Sequence, residues 1–275
     1  MLANLPQDRC LVMGVVNVTP DSFSDGGKWF DPETAIAHGL ELLASGADIV
    51  DVGGESTRPG AIRVDCAEEL RRVMPVVEGL VAAGAIVSVD TMRSEVATQS
   101  LAAGAHIIND VSGGRADPEV LRVAAKSGVP FVLMHWRAHS ETMQNSTDYG
   151  DVVADIVREL TDQILVAKAA GVTDRQLIID PGLGFSKTGD QNWTVLANLD
   201  AFTAMGYPVL VAASRKRFLG ELLSEGDELR SVDERDAATA AISTLAAAHG
   251  AWCVRVHDAL GSADAIRTVT RWNRG

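Results

Sequence analysis

Apolar and polar positions along this chain fall into a unit that keeps returning. An Ala- or Leu-rich stretch with helical spacing runs into a glycine, and within a few residues an apolar run begins. The unit occurs at Gly46 (before A-D-I-V-D-V), Gly84 (A-I-V-S-V-D), Gly104 (A-H-I-I-N-D) and Gly128 (V-P-F-V-L-M-H). It returns at Gly171 (leading to L-I-I-D), Gly206 (Y-P-V-L-V-A-A-S) and Gly250 (A-W-C-V-R-V-H-D). Each glycine suits the left-handed position just past a helix end. With the β-branched run that opens at Met13, the pattern predicts eight strands.

The stretches between them read as helices. Ile36, Leu40, Leu43 and Ala44 share one predicted helical face, and Val152, Ile156, Leu160 and Ile164 another. Asp31-Pro32 and Asp117-Pro118 each read as an N-cap followed by proline at the first helical position. The acidic segment from Ser224 to Asp236 reads as a solvated loop and helix start. No linker rich in Pro, Gly or Ser divides the chain. Eight alternating βα units predict a single (β/α)8 barrel over residues 1–275. A doubly wound open sheet is the alternative. It would bring a Gly-rich phosphate fingerprint after its first strand, and the sequence has none there.

Composition narrows the function classes. The net charge of −13, from 24 basic and 37 acidic side chains, argues against a nucleic-acid or acidic-membrane binder. It leaves room for a small anionic substrate in a locally basic pocket. Cys10, Cys66 and Cys253 are far apart and odd in number, which speaks against a disulfide framework or zinc site and for a reducing cytoplasm. The N-terminus lacks a signal-peptide pattern, and no apolar run approaches transmembrane length.

Chemistry collects at one end of the strands, where barrels place their active sites. Read in order, those ends carry Asn17, Asp51 with Glu55, Asp90, Asn109 with Asp110, and His135; then Asp180, Ser214 with Lys216, and Arg255 with His257. Asn17, Asp21 and Asp25, in a long polar stretch after the first strand, offer hard oxygens suited to magnesium. Asp90 and Asp110 have a plainer reading as helix caps, and His135 as a satisfied histidine at a loop start. Arg255 and His257 stand two residues apart and so point to the same side of a strand. With Lys216 they would form an anion site suited to phosphate, the competing reading being an internal ion pair with Asp51, Asp180 or Asp258. Asp90, Asn109 and Asp180 would accept from adjacent N–H donors of a flat heterocycle, with Lys216 donating to its ring carbonyl.

Seven motifs in order resemble the dihydropteroate synthase family along nearly the whole chain. They are V-N-V-T-P-D-S-F-S-D-G-G (Val16–Gly27), D-V-G-G-E-S-T-R-P-G (Asp51–Gly60), S-V-D-T (Ser88–Thr91) and I-N-D-V-S-G-G (Ile108–Gly114). D-P-G-L-G-F-S-K (Asp180–Lys187), S-R-K-R-F-L-G (Ser214–Gly220) and R-V-H-D (Arg255–Asp258) complete the set. The resemblance implies condensation of a hydroxymethyl-dihydropterin diphosphate with 4-aminobenzoate, releasing diphosphate, in folate synthesis. It implies that Asp90, Asn109, Asp180 and Lys216 hold the pterin, with Met134 lining the same pocket. Asn17 would bind Mg2+ on the diphosphate, and Arg255 and His257 the diphosphate itself. Thr57, Arg58 and Pro59, with Phe185, Lys187 and Ser214, would shape the aminobenzoate pocket, where sulfonamides would compete. Asp25 would stabilise a cation-like intermediate, making Asp25, Lys216 and Arg255 the catalytic set. The family is usually dimeric. One departure is the fifth loop, W-R-A-H-S-E-T-M-Q (Trp136–Gln144), in place of a Gly-containing one. A non-catalytic pterin-binding paralogue and, with less to support it, a folate-dependent methyl-transfer barrel are the competing functions.

Overall fold

The structure, a computed structural model, describes residues 4–19, 31–56, 61, 63–139, 141–226 and 228–275. Eight strands among them are β1 (Leu11–Asn17), β2 (Ile49–Gly53), β3 (Val87–Asp90), β4 (Ile107–Asp110), β5 (Phe131–Met134), β6 (Leu177–Asp180), β7 (Leu210–Val211) and β8 (Cys253–Val256). All pair in parallel, in the order 6-5-4-3-2-1-8-7. The ring closes between β6 and β7 through a bridge at Ile179 and Val209, where the Ile179 amide donates to the Pro208 carbonyl at 2.9 Å. This is the predicted (β/α)8 barrel.

Around it run helices α1 (Pro32–Ala44), α2 (Cys66–Ala82), α3 (Ser94–Ala102), α4 (Glu119–Ser127) and α5 (Val152–Ala169). They continue with α6 (Gly189–Ala197), α7 (Leu199–Thr203), α8 (Arg217–Leu222), α9 (Asp236–Ala248) and α10 (Ala259–Asn273). All seven punctuating glycines adopt positive φ, between 73° and 105°. They end helices where a Cβ would clash with the backbone, and the chain turns back into a strand.

Parallel strands bury both faces, and their alternation sorts the core into two shells. Leu11, Met13, Ile49, Ile107, Val132, Ile178, Leu210 and Cys253 fill the barrel interior, with Leu5 packed among them. The intervening residues, such as Val12, Val50, Val89 and Ile108, pack outward against the helices. Arg9 and Asp48 form a two-pronged ion pair (2.7 and 2.8 Å) at the start of β2, and Asp48 also accepts from the Val12 amide.

The predicted face of α1 is rotated. Ala35, Gly39 and Leu42 are its buried residues, whereas Leu40 is 39% exposed and Ala44 exposed. Close packing decides this. A Cβ on Gly39 would lie 2.7 Å from Leu80 on α2, and one on Gly14 of β1 3.0 Å from Leu42. Small residues thus set the contact, and the larger Leu40 is left outside. The α5 stripe holds as predicted, with Ile156, Leu160 and Ile164 buried and Val152 partly so.

Asp31 caps α1 as expected, accepting from the Thr34 amide at 3.0 Å with Pro32 at the first position. Pro118 takes the cap position of α4 rather than its first helical position, and Asp117 before it serves two helices. One oxygen accepts from the Glu119 amide at the start of α4 (3.1 Å), the other from the Ser94 amide at the start of α3 (2.8 Å). The residue preceding α3, Arg93, makes no side-chain cap of its own. Asp117→Ala is therefore expected to lower stability by ~1–3 kcal/mol, more than an ordinary single cap. Urea unfolding checks this, and a loss below ~0.5 kcal/mol would rule out the double cap.

Candidate active site

The carboxyl ends of the strands surround a cavity of about 850 Å³. Its wall contains Asn17, Asn109, Met134, Asp180, Phe185, Lys187, Ser214, Lys216, Arg255 and His257, ten of the expected residues. Asp25, Thr57, Arg58 and Pro59 lie outside the described residues.

Register explains this selection. Asp51 pairs with Ser88, Asp90 with Asn109, Met134 with Asp180 and Met13 with Arg255. Paired residues of neighbouring strands point to the same face, so these side chains all face inward. Asp110 and His135 follow inward residues directly and so turn outward; His135 is the satisfied histidine of its plainer reading, whereas Asp110 caps no helix and braces a loop instead. Asp110 accepts from the Ser112 amide (2.8 Å), the Ser112 hydroxyl (2.7 Å) and the Gly114 amide (2.8 Å), fixing the loop after β4. His135, with no exposed surface, bonds Glu159 of α5 through Nε2 at 2.9 Å.

Arg255 does not stand alone as an anion site. Its Nε donates to Asp51 at 2.6 Å and its Nη2 to Asp90 at 2.8 Å. The competing reading, an internal ion pair, thus holds for these two nitrogens, with Asp90 in place of the Asp180 or Asp258 also considered. Burial disfavours the guanidinium's charge, but the two carboxylates more than offset it and raise its pKa. Burial also pushes the Asp90 carboxyl up, to about 7, against the pull of Arg255. Asp90 caps no helix, and it is not on the cavity wall. It holds Arg255, which is.

The sequence offered Asp51 only as one of three possible ion-pair partners for Arg255. The structure puts it at the centre, wholly buried, its Oδ2 accepting from both Arg255 and Asn109 (3.0 Å). Its Oδ1 has no partner among the described residues. Its place in phase with Ile49 was the available signal. Arg235 was missed outright. It lies on the cavity wall, 7% exposed, donating to the carbonyls of Arg230 and Arg215. No pattern in the sequence marked it, because its segment reads as solvated.

Two loops carry backbone strain. Among the described residues, Ser186 (φ 49°) and Arg215 (φ 58°) are the non-glycines with positive φ. They follow β6 and β7 and adjoin Phe185, Lys187 and Lys216. Such conformations persist only where surroundings hold them. Arg215 is held by a two-pronged pair with Asp236 (2.8 and 2.7 Å). Lys216 donates to the Leu183 carbonyl and lies 4.9 Å from the Phe185 ring centroid. Burial lowers its ammonium to about 8, with Asp180 opposing the shift. Burial also raises the Asp180 pKa, and one of its oxygens accepts from the Gly182 amide at 2.7 Å. Ser214 Oγ lies 2.9 Å from His257 Nδ1 and accepts from the His257 amide at 3.1 Å, fixing that ring.

Lys187 is on the wall, yet its ammonium points into the loop. It donates to the carbonyls of Gly182 (2.9 Å) and Phe185 (3.1 Å) and meets His135 Nδ1 at 3.2 Å. Its expected place in an aminobenzoate pocket thus becomes a supporting one. For metal, Asn17 offers one hard oxygen, and no group of three His, Cys, Asp or Glu among the described residues could hold an ion. That donor set fits magnesium, which keeps water ligands and takes the rest from substrate phosphates.

A buried barrel mouth with carboxylate and amide acceptors, flanked by basic side chains, is a site chemically suited to a polar ligand with N–H donors and negative charge. The family model described as pterin binding enzyme matches residues 13–257. A dihydropteroate synthase of Mycobacterium leprae is 55% identical over 263 residues, covering 95% of this chain and 93% of that protein. The Yersinia pestis dihydropteroate synthase, solved with a sulfonamide drug, superposes with a TM-score of 0.93 at 40% identity, over 98% of this chain and 97% of that one. The Xanthomonas albilineans enzyme has been solved with 4-aminobenzoic acid (TM-score 0.87, 47% identity, 98% and 94% covered) and with 7,8-dihydropteroate (0.84, 45%, 98% and 95%). The chain belongs to the dihydropteroate synthases, which are transferases.

The lowered Lys187 ammonium yields a pH prediction. Burial brings it to about 7 from an ordinary 10.5. Between these values the unfolded chain binds more protons than the folded one, so this group makes stability rise with pH by up to ~1.4 kcal/mol per unit. Lys187→Met is expected to flatten that rise between pH 7 and 9 in urea titrations. Parallel curves for the two proteins would show that Lys187 keeps an ordinary pKa.

Proposed function

We propose that this enzyme condenses 6-hydroxymethyl-7,8-dihydropterin diphosphate with 4-aminobenzoate to give 7,8-dihydropteroate and diphosphate. The observation that carries the reading is the meeting of buried acceptors, Asn109 and Asp180, with the basic groups Lys216, Arg255 and His257 on one cavity wall. Relatives solved with the arylamine and with the pterin product support it.

Asp180 accepts from the pterin's adjacent N–H groups, and a buried carboxylate is a strong acceptor there. Lys216 donates to the ring carbonyl, and Asn109 and Met134 complete the pocket. Arg255, oriented by Asp51 and Asp90, and His257, oriented by Ser214, hold the diphosphate. Asn17 would hold Mg2+ carried by the diphosphate, and that ion would neutralise the leaving group's charge. The C–O bond breaks first, its electron pair leaving with the diphosphate, and the pterin delocalises the positive charge. The arylamine nitrogen then attacks and loses its proton. No enzyme nucleophile is needed, and water is excluded to spare the cation. Asp25, Thr57, Arg58 and Pro59 retain the roles the family resemblance implies, as does Phe185 in the aminobenzoate pocket, where a sulfonamide would compete.

The enzyme works in the cytoplasm, in keeping with three unbridged cysteines; among the described residues no helix is long and apolar enough to cross a membrane. It acts as a homodimer, to which the exposed Leu245 of α9 and Leu260 of α10 offer apolar surface.

Mixing the purified protein with both substrates and Mg2+ tests the reading. Dihydropteroate and diphosphate forming only when 4-aminobenzoate is present supports a synthase. Pterin binding without turnover would indicate the non-catalytic paralogue instead. Arg255→Lys keeps the charge but loses the guanidinium fork. It is expected to weaken binding of the pterin diphosphate about tenfold, and of the free pterin less than about threefold, by calorimetry. Equal losses would place Arg255 in the ring pocket.

A further inference from the structure

The fifth loop is tied to the loop after β6. We propose that Glu159, on α5 outside the cavity, is a positioning residue that holds the Gly182–Lys187 loop in its reactive form and so tunes binding of the arylamine. The inference rests on the synthase reading for its kinetic consequence, though not for its geometry.

Glu159 accepts from His135 Nε2 at 2.9 Å, from Arg137 Nε at 2.9 Å, and from Arg137 Nη2. Exposed Arg158 approaches to 3.8 Å. Two arms lead from Glu159 to the same loop. Along one, His135 donates to Glu159, which leaves Nδ1 as the acceptor facing Lys187 at 3.2 Å. Lys187 grips the carbonyls of Gly182 and Phe185. Along the other, the Arg137 guanidinium lies 3.6 Å from the Tyr149 ring centroid, and Tyr149 donates its hydroxyl to the Ser186 carbonyl at 3.0 Å. Arg137 also donates to the Asp148 carbonyl at 2.6 Å, fixing the segment that carries Tyr149.

The gripped carbonyls, of Gly182, Phe185 and Ser186, bracket the strained Ser186. A strained backbone needs such over-determination. The loop packs closely on the end of β5, where a Cβ on Gly182 (φ 70°) would lie 2.4 Å from the His135 carbonyl. Beside Gly184 and Lys187, it presents the Phe185 ring to the cavity. Charge supports the root of both arms. Burial works against ionisation of Glu159, yet bonds from His135 and Arg137 hold its pKa well below the ordinary range. His135, lowered to about 4 mainly by burial, stays neutral.

The test uses Glu159→Gln and Tyr149→Phe, the second retaining the ring against Arg137 and losing only the bond to Ser186. Two readouts are taken: KM for each substrate, and hydrogen exchange of the amides across residues 182–187 without ligand. Glu159→Gln is expected to raise KM for 4-aminobenzoate about tenfold and Tyr149→Phe about threefold, with KM for the pterin diphosphate within about twofold. Exchange across the loop should speed up in both. Folded variants with unchanged exchange and unchanged KM, or with both KM values raised equally, would overturn the proposal. Should Glu159→Gln not fold, Tyr149→Phe decides by the same criteria. Should the wild type make no dihydropteroate, the synthase reading fails and exchange alone decides the positioning role.

Discussion

Closing parallel strands into a ring forces every second side chain into the barrel. There is little room inside, so most inward positions are either apolar filling or part of the site. The lower layers are filled by Leu11, Met13, Ile49, Ile107, Val132, Ile178, Leu210 and Cys253. Above them the same strands supply Asp51, Asn109, Asp180 and Arg255 without a change of phase. The site is therefore the upper continuation of the core, held by the same register.

That continuation puts charges where water cannot reach them. Burial costs an isolated carboxylate or guanidinium several kcal/mol. The Asp51–Arg255–Asp90 pairing offsets this, with distances of 2.6 and 2.8 Å and Asn109 as a further donor to Asp51. It leaves the guanidinium aimed before any substrate arrives, which lowers the reorganisation needed on binding. Among the described residues Asp51 Oδ1 has no partner, so polar satisfaction there is incomplete, as it often is at functional sites.

The outward positions at the same strand ends do the supporting work. His135 and Asp110, one residue beyond inward neighbours, fix the loops after β5 and β4 by bonding to Glu159 and to the Ser112–Gly114 backbone. Strain at Ser186 and Arg215 is borne by these outer contacts and by Asp236. Alternation thus divides labour between side chains facing the cavity and side chains facing the helices.

The sequence by itself determined the eight βα units, the glycines that end the helices, and the collection of polar residues at one end of the strands. These are local properties, set by periodicity of 2 or 3.6 and by backbone sterics. The site motifs were legible for the same reason, since each sits on one strand or its loop. Only the tertiary structure decided which face of α1 is buried, because Gly39 and Gly14 act by what they let approach. It alone made Asp90 a partner of Arg255 and turned Lys187 into its own loop. It also joined Glu159 to His135 and Arg137, and Asp117 to two helices. Such contacts link residues far apart in the chain, and ring closure and packing choose among many possible partners.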